Sequence, residues 1–248
     1  MKLAMKTEKG PVRSSNQDAV DCGSWSKTEA WAVVCDGMGG ANGGNIASTM
    51  CVERIVSALG NFPVGNPEHD VQKFLYTTLF NANRAVYDAA QKDPSLEGMG
   101  TTADLVLVQN GMAHIVHVGD SRVYKISPLG MVQITNDHTY VQSLVDAGTI
   151  SLEEAQSHPQ KHMITRAIGV EPGVEMDYYE EEIKENTSLL LCSDGLSNLV
   201  SAEQMQEIVT QNSPETAVEL LVEKAVEQGG FDNITVAILS NTADADPA

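Results

Sequence analysis

Two apolar runs in this chain end in the same way. "WAVVCDGMGG" (31–40) and "LLLCSDGLSN" (189–198) each deliver an aspartate, Asp36 or Asp194, into a glycine. A third acid, Asp232, opens the apolar run of "GGFDNITVAIL", and a fourth, Asp120, interrupts "HVGDSRVY". Asp and Gly are ordinary turn formers, which accounts for any one of these sites without function. It accounts for four of them poorly. If antiparallel pairing brings the strand ends together, Asp36, Asp194 and Asp232 crowd like charges that cannot all stay ionised without cations between them. Only oxygen ligands are on offer, with no His or Cys at ligand spacing, so the fitting ions are hard and octahedral, Mg²⁺ or Mn²⁺ with several retained waters. Gly37, lacking a side chain, leaves its own carbonyl open to such an ion. Two ions sharing a carboxylate, ~3.5–4 Å apart, would hold a bridging water as hydroxide and stabilise an in-line displacement at phosphorus.

Other phosphate chemistries lack their residues. No GxxxxGK[ST] occurs, so "GMGGANGGN" is not a nucleotide-cradling loop. No cysteine is followed six residues on by arginine, and "DADPA" lacks both a preceding strand and the threonine expected beside an aspartyl nucleophile. HExxH is absent as well. A metal-activated water is what remains.

The elements that must hold these acids are readable from periodicity. Alternation and β-branched content predict strands at 29–35, 102–109, 112–119, 122–127, 131–135, 174–180, 187–193 and 233–239. Asn110-Gly111 suits a tight primed hairpin turn, and connections this short make neighbouring strands antiparallel. Helical periodicity covers 43–59, 67–92, 203–211 and 214–228, with Pro67 and Pro214 placed to open their helices. Helices in pairs, separated by a strand meander, predict an α+β architecture of antiparallel sheet covered by helix pairs. Residues 138–168 carry short helical patches, Gly148, Pro159 and no strand signal; this excursion between two strands is expected to be a functional flap. Thr101 and Thr102 read as residues that open a strand and could line the site, His114 and His117 as satisfied edge or core histidines. Cys35 and Cys192 read as packing residues, and Met5, Met50 and Met205 as core.

A chain of 248 residues with 42% hydrophobic content can bury one substantial core, and a single domain over 1–240 is expected. The formal charge of −19 repels nucleic acid and anionic membrane, leaving protein partners. Cys22, Cys35, Cys51 and Cys192 form no CxxC pair, which points to a reducing compartment without a disulfide framework. "MKLAMKTEKG" interrupts its apolar residues with Lys2 and Lys6 and lacks the core of a signal peptide; no stretch reaches the ~20 apolar residues of a spanning helix. A cytoplasmic monomer is expected, with 241–248 as a frayed tail.

Eight motifs in order, "GPVRSSNQD", "VVCDGMGG", "GMGTTADLVLV", "HVGDSRVY", "NDHTYVQSLVDAGTI", "HPQKHMITRAIG", "LLLCSDGLSN" and "DNITVAIL", make the sequence resemble the metal-dependent protein serine/threonine phosphatases of the type 2C family. "DGMGG" and "ITRAIG" resemble its bacterial branch, which opposes eukaryotic-like Ser/Thr kinases. The resemblance implies a four-layer α-β-β-α sandwich of two antiparallel sheets between helix pairs. It implies hydrolysis of phosphoserine and phosphothreonine on proteins without a phosphoenzyme. Asp36 would bridge two ions, Gly37 give its carbonyl to one, and Asp194 with Asp232 bind the other. Asp120 matches the acid of a third, weaker metal site, and Asp18 a carboxylate acting through metal-bound water. Arg13 matches the arginine that grips the substrate phosphate, a role suited to its planar donor fork.

Two positions depart from the eukaryotic pattern. Met38 stands where many eukaryotic members carry a histidine general acid, and Gln17 where they carry a metal-binding glutamate. The second ion is therefore expected to hold more water, and a metal-bound water is expected to protonate the leaving group. His138, in an Asp-His turn, reads as structural. The alternative from a different class is a non-catalytic phosphoprotein-binding or scaffold module on the same fold; retention of Asp36, Asp194 and Asp232 weighs against it.

Overall fold

The computed structural model describes residues 1–66 and 69–242. Pro67 and the part of the expected tail from 243 onward lie outside the described residues. The strands are β1 (Lys2–Glu8), β2 (Asp18–Ser24), β3 (Ala30–Met38), β4 (Gly100–Thr101), β5 (Ala103–Gln109), β6 (Met112–Val118), β7 (Arg122–Ser127), β8 (Gly130–Gln133), β9 (Asp177–Glu182), β10 (Thr187–Cys192) and β11 (Ile234–Asn241). Helices α1 (Gly40–Leu59) and α2 (Val71–Lys92) follow β3, α3 (Tyr140–Asp146) and α4 (Leu152–Gln156) lie between β8 and β9, and α5 (Asp194–Ser197), α6 (Ala202–Gln211) and α7 (Pro214–Glu227) separate β10 from β11.

Period-two alternation sorts side chains into three cores. On β3, Ala30, Ala32 and Val34 face the core between the sheets, while Val33 and Cys35 face the core beneath α1 and α2. On β10, Leu189 and Leu191 join the inter-sheet core, and Leu190 and Cys192 pack under α6 and α7. Strands with both faces covered read as near-continuous apolar runs, as these do. The result is helix pair, sheet, sheet, helix pair. One sheet runs β1-β11-β10-β7-β8 and the other β2-β3-β5-β6-β9, with β4 added to β3 and every pairing antiparallel.

The long helices are cut to fit these faces. α2 buries Val71, Leu75, Leu79, Ala82, Val86 and Ala90 at helical spacing, and Asp70 caps it by accepting from the Lys73 N–H at 2.8 Å. α7 opens with Pro214 after the cap Ser213. All four cysteines are free. Among the described residues no helix is long and apolar enough to cross a membrane.

Three strands had no counterpart in the periodicity: the two-residue β4 and the edge strands β1 and β2. β1 and β2 are the outermost strands of their sheets, half-exposed and interrupted by Lys2, Lys6, Asp18 and Asp21, and they form because β11 and β3 offer them an edge. Met205 is buried and Met50 packs at the margin of the α1–α2 core, but Met5 is 44% exposed. It sits on β1, which among the described residues has no strand on its far side. β3 also runs further than expected: Asp36, Gly37 and Met38 belong to the strand.

Candidate active site

Asp36 lies directly opposite Asp18 in the β2–β3 register, so pairing alone sets two carboxylates side by side. Its backbone is clamped. The Asp36 N–H donates to the Thr102 hydroxyl at 2.8 Å, and the Asp36 carbonyl accepts from the Thr102 N–H at 2.8 Å and the Thr101 hydroxyl at 2.9 Å. Both threonines are buried, and the Thr102 hydroxyl also meets that of Ser121 at 2.7 Å. Gly37 donates its N–H to the Gln17 carbonyl at 3.1 Å, and a Cβ there would collide with the carbonyl oxygens of Gly44 and Gln17. The glycine is thus required by close packing of α1 on β3, a stronger demand than an open carbonyl alone.

The remaining acids arrive from four other strand ends. Asp120 follows β6, Asp194 begins α5 at the end of β10, Asp232 precedes β11, and Asp18 begins β2. A cavity of about 590 Å³ is lined by Arg13, Asp36, Gly37, Met38, Asp120, Asp194 and Asp232. Asp18 sits behind it, nearly buried, with Oδ2 accepting from the Ser193 hydroxyl at 2.8 Å and Oδ1 buried without a partner. Arg13 Nη2 donates to Asp232 Oδ2 at 2.6 Å, and Asn198 Nδ2 donates to Asp194 Oδ2 at 3.1 Å.

Electrostatics oppose this gathering in the absence of cations. Burial, then Asp18, Asp194, Asp120 and Asp232, pushes the Asp36 carboxyl well above the usual carboxylate range. Burial and Asp194 push Asp120 up to about 7; burial, opposed by hydroxyl hydrogen bonds, leaves Asp18 at about 6; burial and Asp232 raise Asp194. Like charges held this close by rigid strands fit divalent ions. Among the described residues no three His, Cys, Asp or Glu side chains meet tightly enough to enclose an ion by themselves. Mg²⁺ and Mn²⁺ that keep several waters suit such a donor set, whereas a fully protein-caged ion does not.

Every residue predicted for the site is therefore brought to one place, with Asp18 in the layer behind. Sequence reasoning gave Thr101 and Thr102 too little weight; the signal was the "GTT" before a buried strand, next to the acid-bearing one. It also passed over His162, Phe231 and Asn233, which line the cavity. Asn233 is nearly buried and ties the site to the N-terminal loop: its Oδ1 accepts from the Gln17 N–H at 2.9 Å, and its Nδ2 donates to the carbonyls of Lys9 and Ser15, each at 3.0 Å.

The two strand histidines and His138 are engaged elsewhere. His114 Nδ1 meets the Tyr178 hydroxyl at 2.7 Å. His117 is buried against Asp104 at 2.6 Å, with Nε2 3.1 Å from the Asn136 carbonyl; burial pulls its pKa down, but Asp104 outweighs that and holds it above the ordinary value. His138 Nδ1 accepts from the Gly119 N–H at 3.1 Å, and Nε2 lies between Arg166 Nη1 at 3.0 Å and Asp177 at 3.2 Å. Burial and neighbouring His117 hold His138 down at about 4.

Comparison with known proteins agrees with this geometry. Residues 12–243 match the sequence profile of the family described as Protein phosphatase 2C. The protein phosphatase PhpP of Streptococcus pneumoniae is 35% identical over 248 residues, covering 99% of this chain and 100% of that protein. The crystal structure of the Mycobacterium tuberculosis serine/threonine phosphatase PstP/Ppp superposes with a TM-score of 0.87 at 35% identity, covering 98% of this chain and 99% of that one. A structure of the PstP catalytic domain in complex with two manganese ions gives 0.83 at 34% identity, covering 96% of each chain.

Proposed function

Because the chain belongs to the protein phosphatase 2C family, we propose that it hydrolyses phosphoserine and phosphothreonine on proteins, with Mg²⁺ or Mn²⁺ held by the acids of the cavity. The observation that carries this is the convergence of Asp36, Asp120, Asp194 and Asp232 from four strand ends, together with Arg13, on one cavity, with Asp18 behind it. Its companion is the pair of manganese ions in the related PstP structure.

In this reading Asp36, Gly37 through its carbonyl, Asp194 and Asp232 would hold the two core ions. Asp120 takes a third, weaker ion, and Asp18 acts through water. Bound there, the ions supply charge that makes a water nucleophilic at neutral pH and that shields the phosphoryl oxygens. The chain's own residues set the geometry around that charge. Thr101 and Thr102 fix Asp36 from both sides of its peptide units, so the carboxylate needs no reorganisation. Arg13 presents its fork to the phosphate, and its present contact with Asp232 places the guanidinium at the cavity wall.

Met38, at the cavity lip, has no proton to give, and His138 spends its ring on Gly119, Arg166 and Asp177. The leaving oxygen takes its proton from cavity water. The catalytic unit is a single domain over 1–240, with 138–168 as a flap over the site. Its substrates are phosphoproteins made by bacterial Ser/Thr kinases, met by a cytoplasmic monomer. The test is hydrolysis of a phosphothreonine peptide after EDTA stripping: activity is expected to vanish and to return with Mn²⁺, and full activity in EDTA sinks the proposal.

A further inference from the structure

Resting on that reading, the geometry points to a groove beside the catalytic cavity that selects phosphoproteins with an apolar residue next to the phosphoresidue and Lys or Arg beyond it. The groove has a volume of about 510 Å³. Met38 and Ile164 line both it and the cavity, so a chain seated with its phosphate among the acids continues directly into it.

The floor is apolar. Met38, Ile164, Val170 and Val174 line it, and Val170 is 47% exposed. An apolar side chain held outward at the edge of a catalytic cavity invites a matching one. The wall that carries Val170 is fixed. Thr101 and Ile168 exchange two backbone hydrogen bonds, at 3.0 and 2.8 Å. Asn83 of α2, fully buried, accepts from the Gly169 N–H at 2.7 Å and donates to the Glu171 carbonyl at 3.0 Å. A wall held from both sides binds without an ordering penalty.

Charge decides what lies beyond the apolar residue. The one cation among the described residues lining the groove, Arg166, is taken up by Asp177 at 2.8 Å and Glu175 at 3.3 Å. Glu171 lines the same groove and has no cation partner among the described residues. The rim therefore presents net negative charge on a chain of formal charge −19. An acidic flank is repelled and a basic one attracted, through encounter as well as binding.

The test uses labelled phosphothreonine peptides that differ only in their flanks, read by hydrolysis with Mn²⁺ and by fluorescence anisotropy. The apolar-then-basic peptide is expected to exceed the acidic-flanked one by about tenfold in kcat/KM, mostly through KM, with the ratio shrinking in high salt. Glu171→Lys with Glu175→Lys should bring that ratio to one or below, and Val170→Asp should abolish the preference for an apolar neighbour. Glu171→Gln reads the same ratio should the double variant fold poorly, with a drop of about threefold expected. Equal turnover of all flanks by the wild type, or an unchanged ratio in the charge variants, overturns the groove. Flank-dependent binding without hydrolysis of these peptides or of p-nitrophenyl phosphate overturns the phosphatase reading and leaves the groove standing.

Discussion

The two Asp-Gly turns look alike in sequence and are built differently. Asp36 stays within β3, faces Asp18 across the pair, and has its N–H and carbonyl clamped by buried threonines. Asp194 is the first residue of the short helix α5, and among the described residues its side chain accepts a hydrogen bond from exposed Asn198 alone. What they share is the glycine: a Cβ on Gly37 would strike the carbonyls of Gly44 and Gln17, and one on Gly195 the carbonyl of Asn233. The repeated dipeptide records a shared need for close backbone approach, within a strand in one case and a helix start in the other.

This contrast can be broken by substitution. Asp36→Asn is expected to lower kcat toward a phosphothreonine peptide by about a thousandfold, and Asp194→Asn by about a hundredfold, because in the proposed site only the former would remove a carboxylate shared by two ions. Steady-state kinetics at saturating Mn²⁺ read both, and equal losses would erase the distinction. Gly37→Ala and Gly195→Ala should each destabilise by about 3 kcal/mol in urea unfolding, since the new Cβ would lie far inside contact distance of the Gly44 carbonyl oxygen in the first and of the Asn233 carbonyl oxygen in the second. Thr102→Val leaves the Asp36 N–H and the Ser121 hydroxyl short of a partner; it should cost about 2 kcal/mol and weaken Mn²⁺ binding about tenfold. Asn198→Ala, its counterpart beside Asp194, should change stability by less than about 0.5 kcal/mol.

The smallest effect concerns the turn that carries Asp120. His138 accepts from the Gly119 N–H and its own N–H donates to the Gly119 carbonyl at 2.7 Å, so protonating Nδ1 would set N–H against N–H. With its pKa held down at about 4, the folded protein binds fewer protons here than the unfolded chain, whose histidine titrates near 6.5. The contribution is present above pH 6.5 and is lost as pH falls toward 4. Melting temperatures of wild type and His138→Asn should converge across that window, and parallel curves would contradict the clamp.

Much of this was legible because buried strands write themselves as apolar runs and acids at their ends interrupt them. β3, β5, β6 and β10 have both faces covered, and their cores on either side come from strict alternation. β1 and β2 were illegible for the opposite reason: as sheet edges they carry Lys and Asp among their apolar residues, and their pairing is decided by β11 and β3. Asp18 was visible as a motif residue, but its place across from Asp36 depends on that unseen strand. Thr101 and Thr102 were discounted because threonine commonly opens strands, and their hydrogen bonds span 65 residues of sequence or more. Asn233 and Asn83 were likewise unreadable, since each serves a segment far off in the chain.

The central claim is that Asp36 is the shared ligand of a metal pair. Isothermal titration of Mn²⁺ into EDTA-stripped protein tests it most directly. Binding of at least two ions by the wild type, with both lost or greatly weakened in Asp36→Asn while the circular dichroism spectrum is kept, is the predicted result; a variant that still binds both ions as the wild type does would contradict the account.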